Sequence, residues 1–155
     1  MKKILVLLLA AVLLAGCGGG KPPATPVNID VEQLYTQLET VGMPAMVQLG
    51  ADMMLNLYGI DQADVKQAKV VVSSDGLRAD EIWLIEAVSS EAAAKIKSLV
   101  DNRIAQKDAE SITYSPEQNA IVKKAYAAVE GKYVFFITSP DVEEMKTVVN
   151  KALGR

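Results

Sequence analysis

Three carboxylates in the middle of the chain are the residues that could perform acid–base chemistry. Asp80 and Glu81 open the segment "ADEIWLIEAVS", and Glu86 follows five residues after Glu81. A hydrolase that uses two carboxylates needs both near one bond. Side chains along a strand alternate between faces, so positions 81 and 86 are expected on opposite faces. The spacing therefore argues against a catalytic pair.

The same alternation predicts different surroundings for these acids. Acidic residues at the start of a strand are usually solvated, which is the expectation for Asp80 and Glu81. Glu86 lies on the face that also carries Ile82, Leu84 and Val88, the expected core face. A carboxylate there needs a partner, and Arg103 is the predicted one. Glu86 is accordingly expected to matter more for stability than Glu81.

The composition of the chain excludes other common kinds of catalytic site. The sequence has no histidine and a single cysteine, Cys17, so Ser-His and Cys-His nucleophiles are excluded. Zinc lacks its usual ligands, and no calcium loop of alternating acids is present. The methionines of "MPAM" and "MM" offer thioethers to Cu(I), but methionine more commonly fills irregular cores. We therefore expect no catalytic residue, no cofactor and no metal site.

The single cysteine ends a segment with the plan of a secretory leader. Lys2 and Lys3 give it a positive start, and residues 4–14 form an apolar run. This run is too short for a membrane span, which needs roughly 20 residues. The following "LAGC" resembles the lipobox of bacterial lipoproteins, whose cysteine receives a diacylglyceryl group before the leader is cut off. We expect residues 1–16 to be removed and Cys17 to be lipidated.

Residues 17–27 are the expected lipidated cysteine and tether. The sequence "GGGKPPATP" joins flexible glycines to prolines that favour extended backbone. Nine residues reach at most roughly 30 Å. Two acyl chains anchor a protein stably, whereas one gives only marginal binding. These features predict a location on the extracytoplasmic face of the cell membrane.

The charge of the chain disfavours nucleic acid as a partner. The sequence carries 16 basic and 19 acidic residues. Removal of the leader takes away only Lys2 and Lys3, which leaves a formal charge of about −5. Nucleic-acid binding needs clustered Lys and Arg, and no basic patch is present. The lack of a second cysteine also excludes a disulfide framework, so stability must come from an ordinary core.

Beyond the tether, hydrophobic periodicity predicts a single α+β domain over residues 28–155. The predicted helices cover residues 30–41, 45–57, 91–110 and 116–123, with a last helix opened by Pro140. Two hairpins are predicted, one joining "AKVVVSS" to "ADEIWLIEAVS" and one within "AYAAVEGKYVFFITS". Each half supplies strand, strand and helix. This pattern predicts a four-stranded antiparallel sheet in a two-layer sandwich, with the extra N-terminal helices at an edge or on the other face.

Aromatic residues on the predicted strands suggest a binding surface. Both alternating faces of "EIWLIEAV" are largely apolar. One sheet face could display Trp83 and Tyr126, with Tyr133 or Phe136, to a glycan, a peptide or a partner protein. The alternative is that the N-terminal helices cover this face, because they need an apolar surface on which to pack.

Several segments together resemble a known family. "YGID", "ADEIWLIEA", "YSPEQ" and "GKYVFFI" occur in this order, with a helix carrying Arg103 and Gln106 among them. In this they are similar to small lipoproteins of Gram-positive bacteria that carry the domain of unknown function 4358. The resemblance covers the lipobox and most of the chain after it. It implies an α+β domain at the cell surface, and it brings no activity and no catalytic residues.

The expected function is a non-catalytic binding or envelope-associated role. The partners would be the membrane, through the diacylglyceryl group on Cys17, and a protein or glycan of the cell envelope. Two other classes stay open, a carboxylate-dependent hydrolase acting on cell-wall material and a structural subunit of a membrane complex. An enzyme requires two or more acids converging in a cleft. A binding module requires a concave patch, and a structural subunit a broad flat one.

Overall fold

The computed structural model describes residues 28–155, so the predicted leader, Cys17 and the tether lie outside the described residues. These residues form an α+β fold with five α-helices and one five-stranded sheet. The strands are β1 (Met46–Gln48), β2 (Val65–Ser73), β3 (Glu81–Ala87), β4 (Tyr126–Glu130) and β5 (Tyr133–Thr138). The helices are α1 (Val31–Glu39), α2 (Ala51–Tyr58), α3 (Ser90–Tyr114), α4 (Pro116–Val122) and α5 (Val142–Ala152), with a 3₁₀ turn at Gln62–Asp64.

The sheet is antiparallel throughout, in the order β1-β2-β3-β5-β4. The two predicted hairpins, β2 with β3 and β4 with β5, are confirmed. They join through β3 and β5, where Trp83 lies opposite Phe136 and Glu86 opposite Tyr133. All residues of β3 and β5 are buried. The centre of the sheet is therefore closed to solvent on both faces.

Helices cover both faces of the sheet, so the two-layer prediction is wrong. Ile82 and Leu84 of β3 pack with α1 and α5 on one face. Trp83 and Ile85 pack with α2 and α3 on the other. Because both faces of these strands are apolar, each needs a covering layer. The sheet is the middle layer of three.

The predicted helix over residues 45–57 is also wrong in its first half. Residues 46–48 form β1, which pairs with β2 and adds a fifth strand to the four predicted. The backbone N–H of Leu49 continues this pairing, donating to the Val70 carbonyl at 2.9 Å. Gly50 then precedes α2, and glycine is a poor residue for a helix interior. Pairing with the free edge of β2 thus satisfies backbone groups of this segment without a helix.

The remaining helices agree with their sequence signals. Asp30 caps α1 by accepting hydrogen bonds from two amides of its first turn, each at 3.0 Å. Ser115 caps α4, and Pro116 occupies its first turn. Ser89 caps α3, which runs four residues beyond its predicted end and reaches Tyr114. This extra turn matters because it lies over the start of β3.

Candidate functional site

A cleft of about 200 Å³ opens at the end of the sheet where β2 ends and β3 begins. The β2–β3 loop forms one side, and the C-terminal half of α3 forms the other. Glu81, the first residue of β3, lies at its floor and has no exposed surface. Asp80 is also buried. The expectation that these two acids are solvated is wrong, because α3 extends over this end of the sheet.

The carboxylate of Glu81 is held by three side chains. Arg103 donates from Nε and Nη2 to Oε2, at 3.0 and 2.8 Å. Lys107 donates from Nζ to the same oxygen at 2.8 Å. Trp83 donates from its indole Nε1 to Oε1 at 2.8 Å, and Arg103 Nε also reaches this oxygen at 3.1 Å. Glu81 is therefore a fully bonded acceptor at the junction of β3 and α3.

The spacing of residues on α3 brings the two cations to one carboxylate. Ile96 and Val100 are buried on the face of α3 that packs on the sheet. Arg103 and Lys107 continue the same three- and four-residue spacing, so they lie on this face beyond its apolar part. Of these two cations, only Arg103 was expected from the sequence to pair with a buried carboxylate, and the expected acid was Glu86. Extending the apolar stripe past Val100 was the signal that would have found both.

The cations keep Glu81 ionised. Burial alone would raise the pKa of Glu81, but the hydrogen bonds and charges of Arg103 and Lys107 outweigh burial and hold this pKa below its ordinary value. Burial would likewise lower the pKa of Arg103, and its contacts with Glu81 raise it instead. Two positive charges thus face one negative charge at the floor of the cleft.

Aromatic side chains form the apolar wall beside this cluster. The Tyr58 ring lies against the Trp83 ring, with 4.7 Å between their centroids. The Arg103 guanidinium stands 5.1 Å from the centre of the Tyr58 ring. Burial and the charge of Glu81 raise the pKa of Tyr58, so its hydroxyl stays neutral. Trp83 also meets Phe136 edge-on at 5.4 Å and has no exposed surface.

The rim of the cleft carries charges of both signs. Arg78 donates from Nε to Oδ2 of the buried Asp80 at 3.0 Å. Gln106 links Arg103 to Glu110, accepting from Arg103 Nη1 at 3.2 Å and donating to Glu110 at 2.9 Å. Glu110 is exposed and lines the cleft. The ionic network therefore runs from the buried floor to the solvent.

The predicted aromatic surface does not form as one exposed patch. Trp83 faces α2 and α3, whereas Tyr133 packs in the opposite layer with α1 and α5 and is buried. Tyr126 is half-buried against that same opposite layer. The register explains the separation, because Trp83 pairs with Phe136 and Tyr133 lies three residues away on β5. An odd separation along a strand reverses the face.

Glu86 lies at the other end of β3, on the other face, as its alternation with Glu81 predicted. Arg103 is not among its partners, so the predicted pair of Arg103 with Glu86 is wrong. Gln67 donates to it at 2.6 Å, Lys66 at 2.9 Å, and the Lys132 ammonium lies 3.4 Å away. Burial alone would raise the pKa of Glu86, but these partners outweigh burial and lower it. Arg103 and Glu86 lie at opposite ends of the sheet.

The first described residues are held at this same end. The Gln67 amide donates to the Ile29 carbonyl at 2.9 Å, and its oxygen accepts from the Val31 amide at 3.3 Å. The Ile29 amide donates to the Tyr133 hydroxyl at 3.0 Å. We call these contacts of Gln67 and Tyr133 with Ile29 and Val31 the N-terminal clamp. It fixes the start of α1 at the end of the sheet opposite the cleft.

Two features are absent from residues 28–155. None of the helices in this range has the length and apolar character that crossing a membrane requires. In the same range, no three acidic side chains converge as ligands for a metal ion. The two buried acids of the cleft are instead paired with cations, Glu81 with Arg103 and Lys107, and Asp80 with Arg78.

Comparison with known proteins places the chain in a family. Residues 39–139 match the family described as Domain of unknown function (DUF4358). This range includes β1 to β5 and all of the cleft residues described above. No curated protein and no solved structure matches the chain. With the match covering well over half of its residues, the chain belongs to the DUF4358 family.

Proposed function

We propose that this protein is a lipid-anchored extracytoplasmic binding module that uses the cleft over Glu81 as its binding site. The observation that carries the proposal is the cleft itself, whose floor is an ion cluster built on the buried, fully bonded carboxylate of Glu81. Such a cluster holds its side chains in fixed positions before a ligand arrives, which lowers the cost of binding. The proposed role is therefore recognition.

The lipid anchor in this proposal rests on the sequence before residue 28. The apolar leader, the "LAGC" segment and the tether after Cys17 support a diacylglyceryl anchor and removal of residues 1–16. The resemblance to Gram-positive lipoproteins supports the extracytoplasmic face of the cell membrane as the location. The domain then works close to the membrane surface.

The protonation state and the hydrogen bonds of Glu81 favour binding over hydrolysis. A general acid must hold a proton near neutral pH, which needs a raised pKa. The pKa of Glu81 is lowered, and its oxygens are occupied by Arg103, Lys107 and Trp83. A carboxylate hydrolase is the second candidate, because Asp80 and Glu81 both line the cleft. In that case Asp80→Asn would abolish wall hydrolysis by a protein that remains folded.

A structural subunit is supported by a different feature, the outer side of α2. Met53, Leu55 and Leu57 on this helix are exposed by 47%, 49% and 57%. An exposed apolar helix is a common site of protein contact. In this role, substitution of these residues by serine would release a partner, whereas changes at the cleft would not.

The experiment that tests the proposal is purification of the detergent-extracted full chain from bacterial membranes. Mass spectrometry would then identify the group on Cys17 and any molecule that remains bound. We expect a diacylglyceryl-modified Cys17 and a ligand that Arg78→Ala at the rim releases, while Lys146→Ala on α5 retains it. An unmodified Cys17 would contradict the anchor. A bound molecule unaffected by Arg78→Ala would contradict the cleft as the binding site.

A further inference from the structure

The floor of the cleft has more positive charge than its own carboxylate balances. Arg103 and Lys107 both contact Glu81, and no other acid contacts either cation directly among residues 28–155. Glu110 approaches Arg103 only through Gln106. An unbalanced charge is costly where water is scarce. A ligand that brings one negative charge to this floor would be stabilised.

Lys107 has hydrogen-bonding capacity for such a ligand. Its side chain is 9% exposed, yet Glu81 is its single acceptor among residues 28–155. An ammonium group has three N–H donors, so two remain for water or a ligand. Arg103 contacts Glu81 and Gln106 through Nε and both terminal nitrogens, which leaves one N–H on each terminal nitrogen, and its guanidinium lies against the Tyr58 ring. Both cations can therefore donate to a ligand, and Lys107, which does not stack on a ring, is the less constrained of the two.

The rim of the cleft favours the opposite charge. Asp75 and Glu110 both line the cleft and are exposed. Within residues 28–155, the Asp75 carboxylate accepts one hydrogen bond, from the Leu77 amide of its own turn, and the Glu110 carboxylate accepts from the neutral Gln106 amide. Neither acid forms an ion pair in residues 28–155. The Arg78 charge at the rim is paired with Asp80, so the unpaired charge is positive at the floor and negative at the rim, and a doubly charged anion would be repelled on its way in.

We propose that the cleft binds a small zwitterion of the amino-acid type. Its carboxylate contacts the Lys107 ammonium, and its own ammonium group lies toward Asp75 and Glu110. The volume of about 200 Å³ suits a molecule of this size and is below the range of pockets that hold larger ligands. This inference rests on the proposed binding function and names the ligand class for the same cleft.

The test uses the detergent-solubilised full chain and four probes: alanine, acetate, methylammonium and inorganic phosphate. Calorimetry measures the dissociation constant of each. We expect alanine to bind at least tenfold more tightly than any other probe. Lys107→Met should weaken alanine binding at least tenfold, and Arg103 remains to neutralise Glu81 in this variant. Lys146→Ala on α5 is the matched control and should bind alanine like the wild type.

A second variant keeps the test independent of any effect of Lys107 on folding. Glu110→Gln is an exposed, nearly isosteric change, and it should weaken alanine binding without weakening acetate binding, because it removes a charge that attracts an ammonium group and repels a carboxylate. The inference is overturned if the folded wild type binds no amino acid, if acetate or phosphate binds as tightly as alanine, or if both variants bind alanine normally. A different ligand that Arg78→Ala releases from the natively purified protein would overturn the zwitterion and leave the binding function standing.

Discussion

Arg103 and Glu81 form a buried ion pair between α3 and β3, with Arg103 Nη2 2.8 Å from Glu81 Oε2. The pair lies beyond Val100, the last buried apolar residue on α3. It therefore ties the C-terminal half of this helix to the sheet where the helix has no further fully buried apolar residue and Ile104 is only partly buried. The groups that line the floor of the cleft also hold its walls together.

Removal of the Glu81 charge should destabilise the fold strongly. Glu81→Gln leaves Arg103 and Lys107 without their anion in a buried place, and breaking such a pair typically costs about 3–5 kcal/mol. Denaturant titration measures the free energy of unfolding. Glu32→Gln, which removes an exposed partner of Lys69, is the control and should cost at most about 1 kcal/mol. Equal losses in the two variants would contradict a structural role for the cluster.

Acid should destabilise the protein partly through Glu86. The folded-state pKa of Glu86 lies below its ordinary value of 4.5, so the unfolded chain takes up the proton first as the pH falls. The stability contributed by the carboxylate is present above pH 4.5 and is lost on acidification toward the lower folded-state pKa. Glu86→Gln removes this titration. Unfolding free energies measured from pH 6 to 3 should fall less steeply in the variant, and identical slopes would refute the assignment.

Tyr58 should shield Trp83 from water. Tyr58→Ala removes the ring that lies 4.7 Å from the indole, so the emission of Trp83, the single tryptophan, should shift to longer wavelength. Loss of this aromatic contact should also cost at least about 1 kcal/mol. Tyr35→Ala, in the layer on the other side of the sheet, is the control and should leave the emission maximum in place. A red shift in the control alone would contradict the described cover of Trp83.

The N-terminal clamp should depend on the Tyr133 hydroxyl. Tyr133→Phe leaves the buried Ile29 amide without its acceptor, a loss that costs about 1–3 kcal/mol. Hydrogen exchange should show faster exchange at Ile29 with little change at Ile82 in the sheet centre. Tyr126→Phe is a matched change, since no hydrogen bond of the Tyr126 hydroxyl occurs among residues 28–155. If Ile29 stays protected in Tyr133→Phe, the clamp does not hold the segment.

The long elements could be predicted because each carries its own signal. The hairpins show alternation around turn residues, and α1, α3 and α4 begin at capping side chains. β1 could not be predicted in this way. Its three residues are extended because β2 offers a free edge, and Met46–Gln48 shows no alternation that distinguishes it from the start of a helix. The conformation of this segment is therefore determined by its pairing with β2.

The contacts within the site were harder to predict from the sequence than the fold was. Alternation correctly separated Glu81 from Glu86, because it depends on a single strand. The partners of Glu81 are 22 and 26 residues away on α3, so finding them requires the length of that helix and its position over the sheet. The supposed aromatic surface failed for a related reason. Placing Trp83 and Tyr133 on one face requires the register between β3 and β5, which neither strand shows by itself.

The N-terminal clamp is the first part of the described fold that a pull on the preceding residues would meet. Glu81 and Glu86 are five residues apart on β3, so the clamp and the cleft are separated by about 17 Å along the sheet. Tension on an anchor at Cys17 would reach the fold at Ile29 and pass to β2 and β5 through Gln67 and Tyr133. If Cys17 carries the proposed anchor, the pull of the membrane would therefore enter the domain at the end of the sheet opposite the cleft.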